Sequence, residues 1–145
     1  MGATRGCNIP EDLLYNIENN VWARREADGT VTVGLTAYAC ALAGEIVAYT
    51  PKKTGKAVDK DKSCATVESG KWVGPVKTPV AGEITAVNDA VQAKPATINQ
   101  DPYGMGWVVK LKPANFDADA GALKTGADAV AAFEAKMAAD NFKGC

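Results

Sequence analysis

The chain has 145 residues, with sixteen Lys and Arg against seventeen Asp and Glu, a formal charge of −1. That length supports one hydrophobic core of ordinary size, and the charge balance leaves no electrostatic footprint for nucleic acid or an anionic membrane. Histidine is absent, which excludes Ser–His and Cys–His nucleophile pairs and leaves a zinc site dependent on most of the four cysteines converging.

Ile9 to Tyr15 reads as an entry segment, with Pro10 restricting the residue before it. Val21–Glu26 and Thr30–Leu35 are strand-like runs joined through Ala27-Asp28-Gly29, a hairpin signal. Thr36 to Ala43 switches to helix formers, with Thr36 as N-cap and Gly44 as stop. Glu45–Thr50 is a strand stopped by Pro51. Lys52 to Lys62 is a charged surface turn holding a short strand at Lys56-Ala57-Val58.

The stretch from Thr66 to Val73 places β-branched and apolar runs on either side of a Ser69-Gly70 turn with Lys71 at its crest. Thr78-Pro79-Val80-Ala81-Gly82-Glu83-Ile84 closes it. A hairpin tip holds a lysine in water, where a modifying enzyme can reach it. Ala43-Gly44-Glu45-Ile46-Val47-Ala48 recurs thirty-eight residues on as Ala81-Gly82-Glu83-Ile84-Thr85-Ala86, which suits two similar sheets packed face to face. Asn99 to Gly106 is dense in turn residues, and Trp107–Leu111 reads as a closing strand. Beyond Pro113 the composition shifts to alanine and acids. Thr125 and Asp128 resemble a capping box, and Val130, Phe133 and Met137 share one face of a helix reaching about Ala139, expected to pack on the β core. The reading is one domain over 1–145, with a core at about 10–113 and a helical segment at about 114–145.

Met1 to Pro10 lacks a basic start followed by an apolar stretch, and the longest uncharged run, Gly29 to Gly44, is too short to span a bilayer. The expected location is the cytoplasm, with no membrane partner. Cys7, Cys40, Cys64 and Cys145 include no Cys-x-x-Cys pair. Cys40 and Cys64 fall in structured segments and are expected to be buried and inert. Cys7 and Cys145 lie in segments expected to be mobile, Gly144-Cys145 being a tail; a redox or transient sulfur role is conceivable for these two thiols, though no thiol is expected to be essential to a carrier.

Several motifs occur in a telling order: Pro10-Glu11-Asp12-Leu13, Thr32-Val33-Gly34-Leu35-Thr36-Ala37-Tyr38-Ala39, Gly44-Glu45-Ile46-Val47, Glu68-Ser69-Gly70-Lys71, Pro79-Val80-Ala81-Gly82-Glu83-Ile84, and Asp101-Pro102-Tyr103-Gly104-Met105-Gly106-Trp107. With them the chain resembles the H protein of the glycine cleavage system, and through it lipoyl carrier domains generally. The resemblance implies a mainly β fold with flanking helices, a β-barrel-sandwich hybrid of two small antiparallel sheets with the modified lysine on an exposed hairpin, plus a C-terminal helix. It implies lipoic acid in amide linkage to Lys71 and a carrier rather than an enzyme. Its partners would be a lipoate-protein ligase or lipoyl-assembly enzymes and dihydrolipoamide dehydrogenase, met by a monomer that changes partners. Glu68 resembles the acidic residue read by the attaching enzyme. Gly70 would permit an unusual backbone angle and close approach of a partner. Trp72 would pack along the arm, meet a partner, or fold back over the hairpin. Biotin carriers usually flank their lysine with methionines, whereas Gly70 and Trp72 stand here.

The chain departs from the glycine cleavage pattern in specific places. Where that pattern has Glu-His-Glu-Trp, this chain has Glu18-Asn19-Asn20-Val21-Trp22. Gly70 precedes the lysine in place of Val or Ala, Trp72 follows in place of a small residue, and Met105 replaces a Glu. These features look more like the lipoate-binding proteins of bacterial sulfur oxidation, which accompany a heterodisulfide-reductase-like complex. On that resemblance the chain would shuttle sulfur intermediates and reducing equivalents. The alternatives are an H protein carrying the aminomethyl group between glycine cleavage enzymes, and an unmodified H-like binding module.

Overall fold

The computed structural model describes residues 2–145. The chain opens with a hairpin of β1 (Gly2–Thr4) and β2 (Cys7–Ile9), turned by Arg5 and Gly6 at φ 50° and 80°. Two consecutive left-handed residues give the tight turn whose twist matches paired strands. The expected entry segment is thus more structured than the sequence suggests: Ile9 ends β2, and Leu14 and Tyr15 belong to β3 (Leu14–Asn16). Then come β4 (Val21–Arg25) and β5 (Val31–Leu35), joined where the Asp28 carboxylate accepts the Thr30 N–H and hydroxyl. In α1 (Ala37–Ala43) the Thr36 hydroxyl accepts the Ala39 N–H, and Gly44 ends the helix at φ 81°. Both helix signals in the sequence act as expected.

The middle of the chain supplies β6 (Ile46–Pro51), β7 (Ala57–Val58), β8 (Ser63–Ser69), β9 (Val73–Lys77) and β10 (Gly82–Val87). Two short helices, α2 (Asp89–Ala93) and α3 (Thr97–Gln100), precede β11 (Val109–Pro113). The chain then runs through α4 (Phe116–Ala120) and β12 (Lys124–Thr125) into α5 (Gly126–Ala139). Thr125 precedes α5 without capping it through its side chain. Its hydroxyl instead donates to the Glu11 and Leu13 carbonyls, because Thr125 is also paired with Leu14 in the sheet. The predicted capping box is therefore not made.

A seven-stranded sheet runs β12-β3-β4-β5-β11-β10-β7, and a three-stranded sheet runs β6-β8-β9. Their pairs are antiparallel. The architecture is mainly β with a C-terminal helix, as expected, but the sheets are unequal in size. The internal repeat divides between them, Ile46 in the small sheet and Ile84 in the large one. Both copies shift register at the same place, between Ile46 and Ala48 and between Ile84 and Ala86. A bulge twists a strand locally and re-aims its side chains, so the shared sequence has a shared geometric consequence.

Strand alternation sorts the large sheet into two buried faces. Val21, Ala23, Val31 and Val33 share a cluster with Ile46, Tyr49, Val67 and Val76 of the small sheet. Tyr15 and Trp22 point the other way and join Ile9, Tyr38, Phe133 and Met137, so the α5 stripe packs on the core as expected. Trp22 lies flat on Gly34, its cross-strand partner, where a Cβ would come within 2.5 Å of the indole. Its Nε1–H donates to the Leu35 and Pro102 carbonyls.

The predicted mobile tail is instead fastened. Cys7 and Cys145 form a disulfide with Cα atoms 5.1 Å apart. The Cys145 N–H donates to the Arg5 carbonyl at 2.9 Å, and Arg5 donates to the Phe142 carbonyl and, in a forked pair, to the Glu134 carboxylate. Phe142 also stacks edge-on against Tyr38, ring centroids 4.7 Å apart. A sequence separation of 138 residues concealed this clasp from any local reading. No helix among the described residues is long and apolar enough to cross a membrane.

Candidate functional site

The β8–β9 hairpin ends in a four-residue turn, Ser69 to Trp72, whose flanking residues Glu68 and Val73 face one another. The Ser69 N–H donates to the Trp72 carbonyl at 2.7 Å, and the Ser69 hydroxyl accepts the Lys71 N–H at 3.3 Å. A serine hydroxyl folding back on its own turn is a standard turn-stabilising device. The sequence marks Ser69 as a turn residue, and the structure adds that its hydroxyl holds the turn.

Lys71 is exposed at the tip. Its chain leans over Gly44, where a Cβ would stand 3.2 Å from Cε and 4.0 Å from Nζ. Gly44 is held from behind by Asn99, whose side chain donates to the Gly44 carbonyl and accepts the Ile46 N–H, both at 2.8 Å. Glu68 is exposed on β8, with Ala48 and Val73 as its neighbours across the strands.

Two expectations about the tip need revision. Gly70 does not take a left-handed angle, because the turn is closed by Ser69 and needs no special backbone at that residue. A Cβ on Gly70 would meet nothing within 4 Å, so the space around it is open. Trp72, 39% exposed, folds back over the hairpin. Its ring fills the place of a Cβ on Gly74, which would come within 2.1 Å; it is Gly74, through this close approach, that must be glycine.

Trp72 and Pro75 form one wall of a groove of about 210 Å³ beside the lysine. Ala39, Leu42 and Ala43 of α1, with Leu35, form the floor, and Asn19 and Asn20 the far wall. Asn20 is left-handed at φ 57°, which asparagine tolerates better than most side chains. Its turn is held from below by Lys136 of α5, whose ammonium donates to the Ile17 and Glu18 carbonyls and to the Asn20 side chain at 2.8–3.1 Å. Burial there lowers the Lys136 pKa. The groove walls carry amides and apolar groups and no ionisable side chain. Val73, next to Trp72 in sequence, and Val47 of β6 are exposed apolar residues, at 61% and 57%.

Cys40 and Cys64 are free and buried, and burial pushes each thiol up to about 12. Both are buried, as expected, and a raised pKa holds a thiol in its non-nucleophilic form. Among the described residues no group of three or more His, Cys, Asp and Glu is placed to hold a metal.

Residues 13–136 match the family model described as glycine cleavage H-protein. The chain belongs to the glycine cleavage H-protein family. The proteins of this family carry lipoate covalently on a lysine and are not themselves catalysts. Glycine cleavage system H protein 5 of Aquifex aeolicus is 58% identical over 119 residues, covering 79% of this chain and 80% of that protein. Glycine cleavage system H protein of Chromobacterium violaceum is 47% identical over 108 residues, covering 74% of this chain and 84% of its own length. The crystal structure of a glycine cleavage system H protein from Mycobacterium marinum superposes with a TM-score of 0.74 at 34% identity, covering 85% of this chain and 97% of that one.

Proposed function

We propose that Lys71 is the lipoyl attachment site and that the whole chain acts as one carrier unit, presenting the arm to successive enzymes. The observation that carries this reading is a single lysine on a braced hairpin tip, with open space over Gly70 and an apolar groove alongside. When attached, lipoate supplies reversible thiol–disulfide chemistry. The protein's residues do the rest. Ser69 fixes the turn, Gly44 gives the lysine chain room to lie or lift, and Trp72 with Leu42 and Ala43 offers the arm a dry resting place. Glu68, exposed on the same hairpin, is the group an attaching ligase would read. The expected partners are a lipoate-attaching enzyme and dihydrolipoamide dehydrogenase, met by a cytoplasmic monomer.

The names of the relatives support a glycine cleavage role, in which the carrier serves that system's enzymes. One observation favours a second reading, the sulfur-oxidation carrier that works with a heterodisulfide-reductase-like complex. The stretch before Trp22 is Asn19-Asn20-Val21, and the groove it walls has no ionisable side chain. An amine-bearing cargo would find no counter-charge there, whereas a neutral sulfur cargo loses nothing. The test is a paired assay of the lipoylated protein. Glycine-dependent turnover with glycine decarboxylase supports the first role; turnover only with the sulfur-oxidising complex supports the second. Turnover by neither overturns both.

A further inference from the structure

The clasp at Cys7 and Cys145 joins reactive chemistry to access at a point remote in sequence from the hairpin. Of its two residues, Cys7 is fully buried and Cys145 is exposed, which leaves Cys145 as the accessible side of the bond. The crossing is also closely fitted. A Cβ on Gly144 would stand 2.9 Å from the Arg5 carbonyl, and one on Gly6 would stand 3.3 Å from the Cys145 carbonyl. Several ties hold the two halves together apart from the S–S bond. Arg5 stays bonded to Glu134 and to the Phe142 carbonyl, Tyr38 donates to Asp140, and the Phe142 ring rests on Tyr38. Loss of the bond therefore leaves both cysteines near one another, ready to re-form it.

The tail also touches the element that floors the groove. Tyr38 belongs to α1, and the Cys145 Sγ lies 3.8 Å from the carbonyl of Ala37, the first residue of that helix. The same helix contributes Ala39, Leu42 and Ala43 to the groove beside Lys71.

We propose that Cys7 and Cys145 form a reversible thiol–disulfide exchange site for dithiol reductants, attacked at Cys145, whose opening frees Gly144 and Cys145 from the start of α1 at Ala37 while Phe142 and Asp140 stay on Tyr38. One thiolate of the dithiol attacks the Cys145 sulfur, and the S–S bond breaks with Cys7 leaving as a thiolate that takes up a proton. The second thiolate of the reductant then attacks its own sulfur in the mixed disulfide and displaces Cys145. Two electrons pass to the protein, and the reductant leaves as a disulfide. Nothing in this step depends on modification of Lys71.

The test uses the full-length oxidised protein without denaturant, treated with graded ratios of reduced to oxidised dithiothreitol, trapped with iodoacetamide and mapped by peptide mass. The expected result is paired labelling of Cys7 and Cys145 with Cys40 and Cys64 unlabelled, and full reversal on re-oxidation. Amide hydrogen exchange in 37–43 should rise several-fold on reduction while that in 63–77 stays constant. With the monothiol glutathione and an acid quench, the mixed disulfide should map to Cys145. Labelling that begins only when Cys40 and Cys64 also react means that the bond opens by unfolding, and overturns the proposal. So does a glutathione adduct on Cys7, or unchanged exchange in 37–43 with the pair fully reduced.

Discussion

The Lys71 tip and the Cys7–Cys145 clasp each hold a short stretch of chain in place, yet they are built to opposite ends. The tip is braced locally: Ser69 bonds within its own turn, and Trp72 covers its own strand at Gly74. The clasp is braced from far away, through a disulfide, the Arg5–Glu134 pair and the stacked rings of Tyr38, Phe133 and Phe142. A site that must enter other proteins gains from self-sufficiency, because nothing else in the chain has to move when it is engaged. A region that closes the fold gains from long-range ties, which remove more freedom from the unfolded chain. The contrast predicts that tip substitutions change function at little cost in stability, and that clasp substitutions do the reverse.

The sharpest break should come at Lys71. Lys71→Arg should abolish lipoylation when co-expressed with a lipoate-attaching enzyme, with the thermal midpoint unchanged; a lipoylated variant would place the site elsewhere. On the clasp side, Phe133→Ala removes a fully buried ring and should cost about 3–5 kcal/mol by urea unfolding, with lipoylation of the folded fraction retained. Cys7→Ser in oxidising buffer should cost about 2–5 kcal/mol, and wild type held in reductant should match it.

Alkali should separate the regions next. Tyr38 is raised from 10.0 to about 12, chiefly by burial and then by its bond to Asp140, and Tyr15 and Tyr103 are raised by burial as well. A raised tyrosine favours folding fully below pH 10, where the unfolded phenol is still neutral. That contribution is lost as pH climbs through the folded value, so stability should fall between pH 10 and about 12. Hydrogen exchange across that window should quicken first around 37–43 and 129–137, and only later in 63–77. The smallest effect belongs to Gly70→Ala, which meets open space at an ordinary backbone angle. Its stability should change by less than about 1 kcal/mol, and a larger loss would show that the turn needs glycine after all.

What the sequence disclosed follows the same division. The Lys71 hairpin, the Thr36–Gly44 helix and the Asp28-Gly29 turn are written in neighbouring residues, where turn chemistry and strand alternation act over a few positions. The repeat was legible too, though not that its two bulges would coincide or that its copies would enter sheets of different size. Lys136 supporting the Asn20 turn and Asn99 clamping Gly44 left no local trace, since each joins residues distant along the chain. Thr125 shows the converse error: a capping pattern was present, but pairing with Leu14 and bonds to Glu11 and Leu13 claimed the side chain.

The central claim is tested most directly by the intact mass of the protein isolated from lipoate-replete cells of its native host, with peptide mapping across 63–77. The account predicts one lipoyl group on Lys71 and none on the other twelve lysines. An unmodified mass, or a lipoyl group on any other lysine, would contradict it.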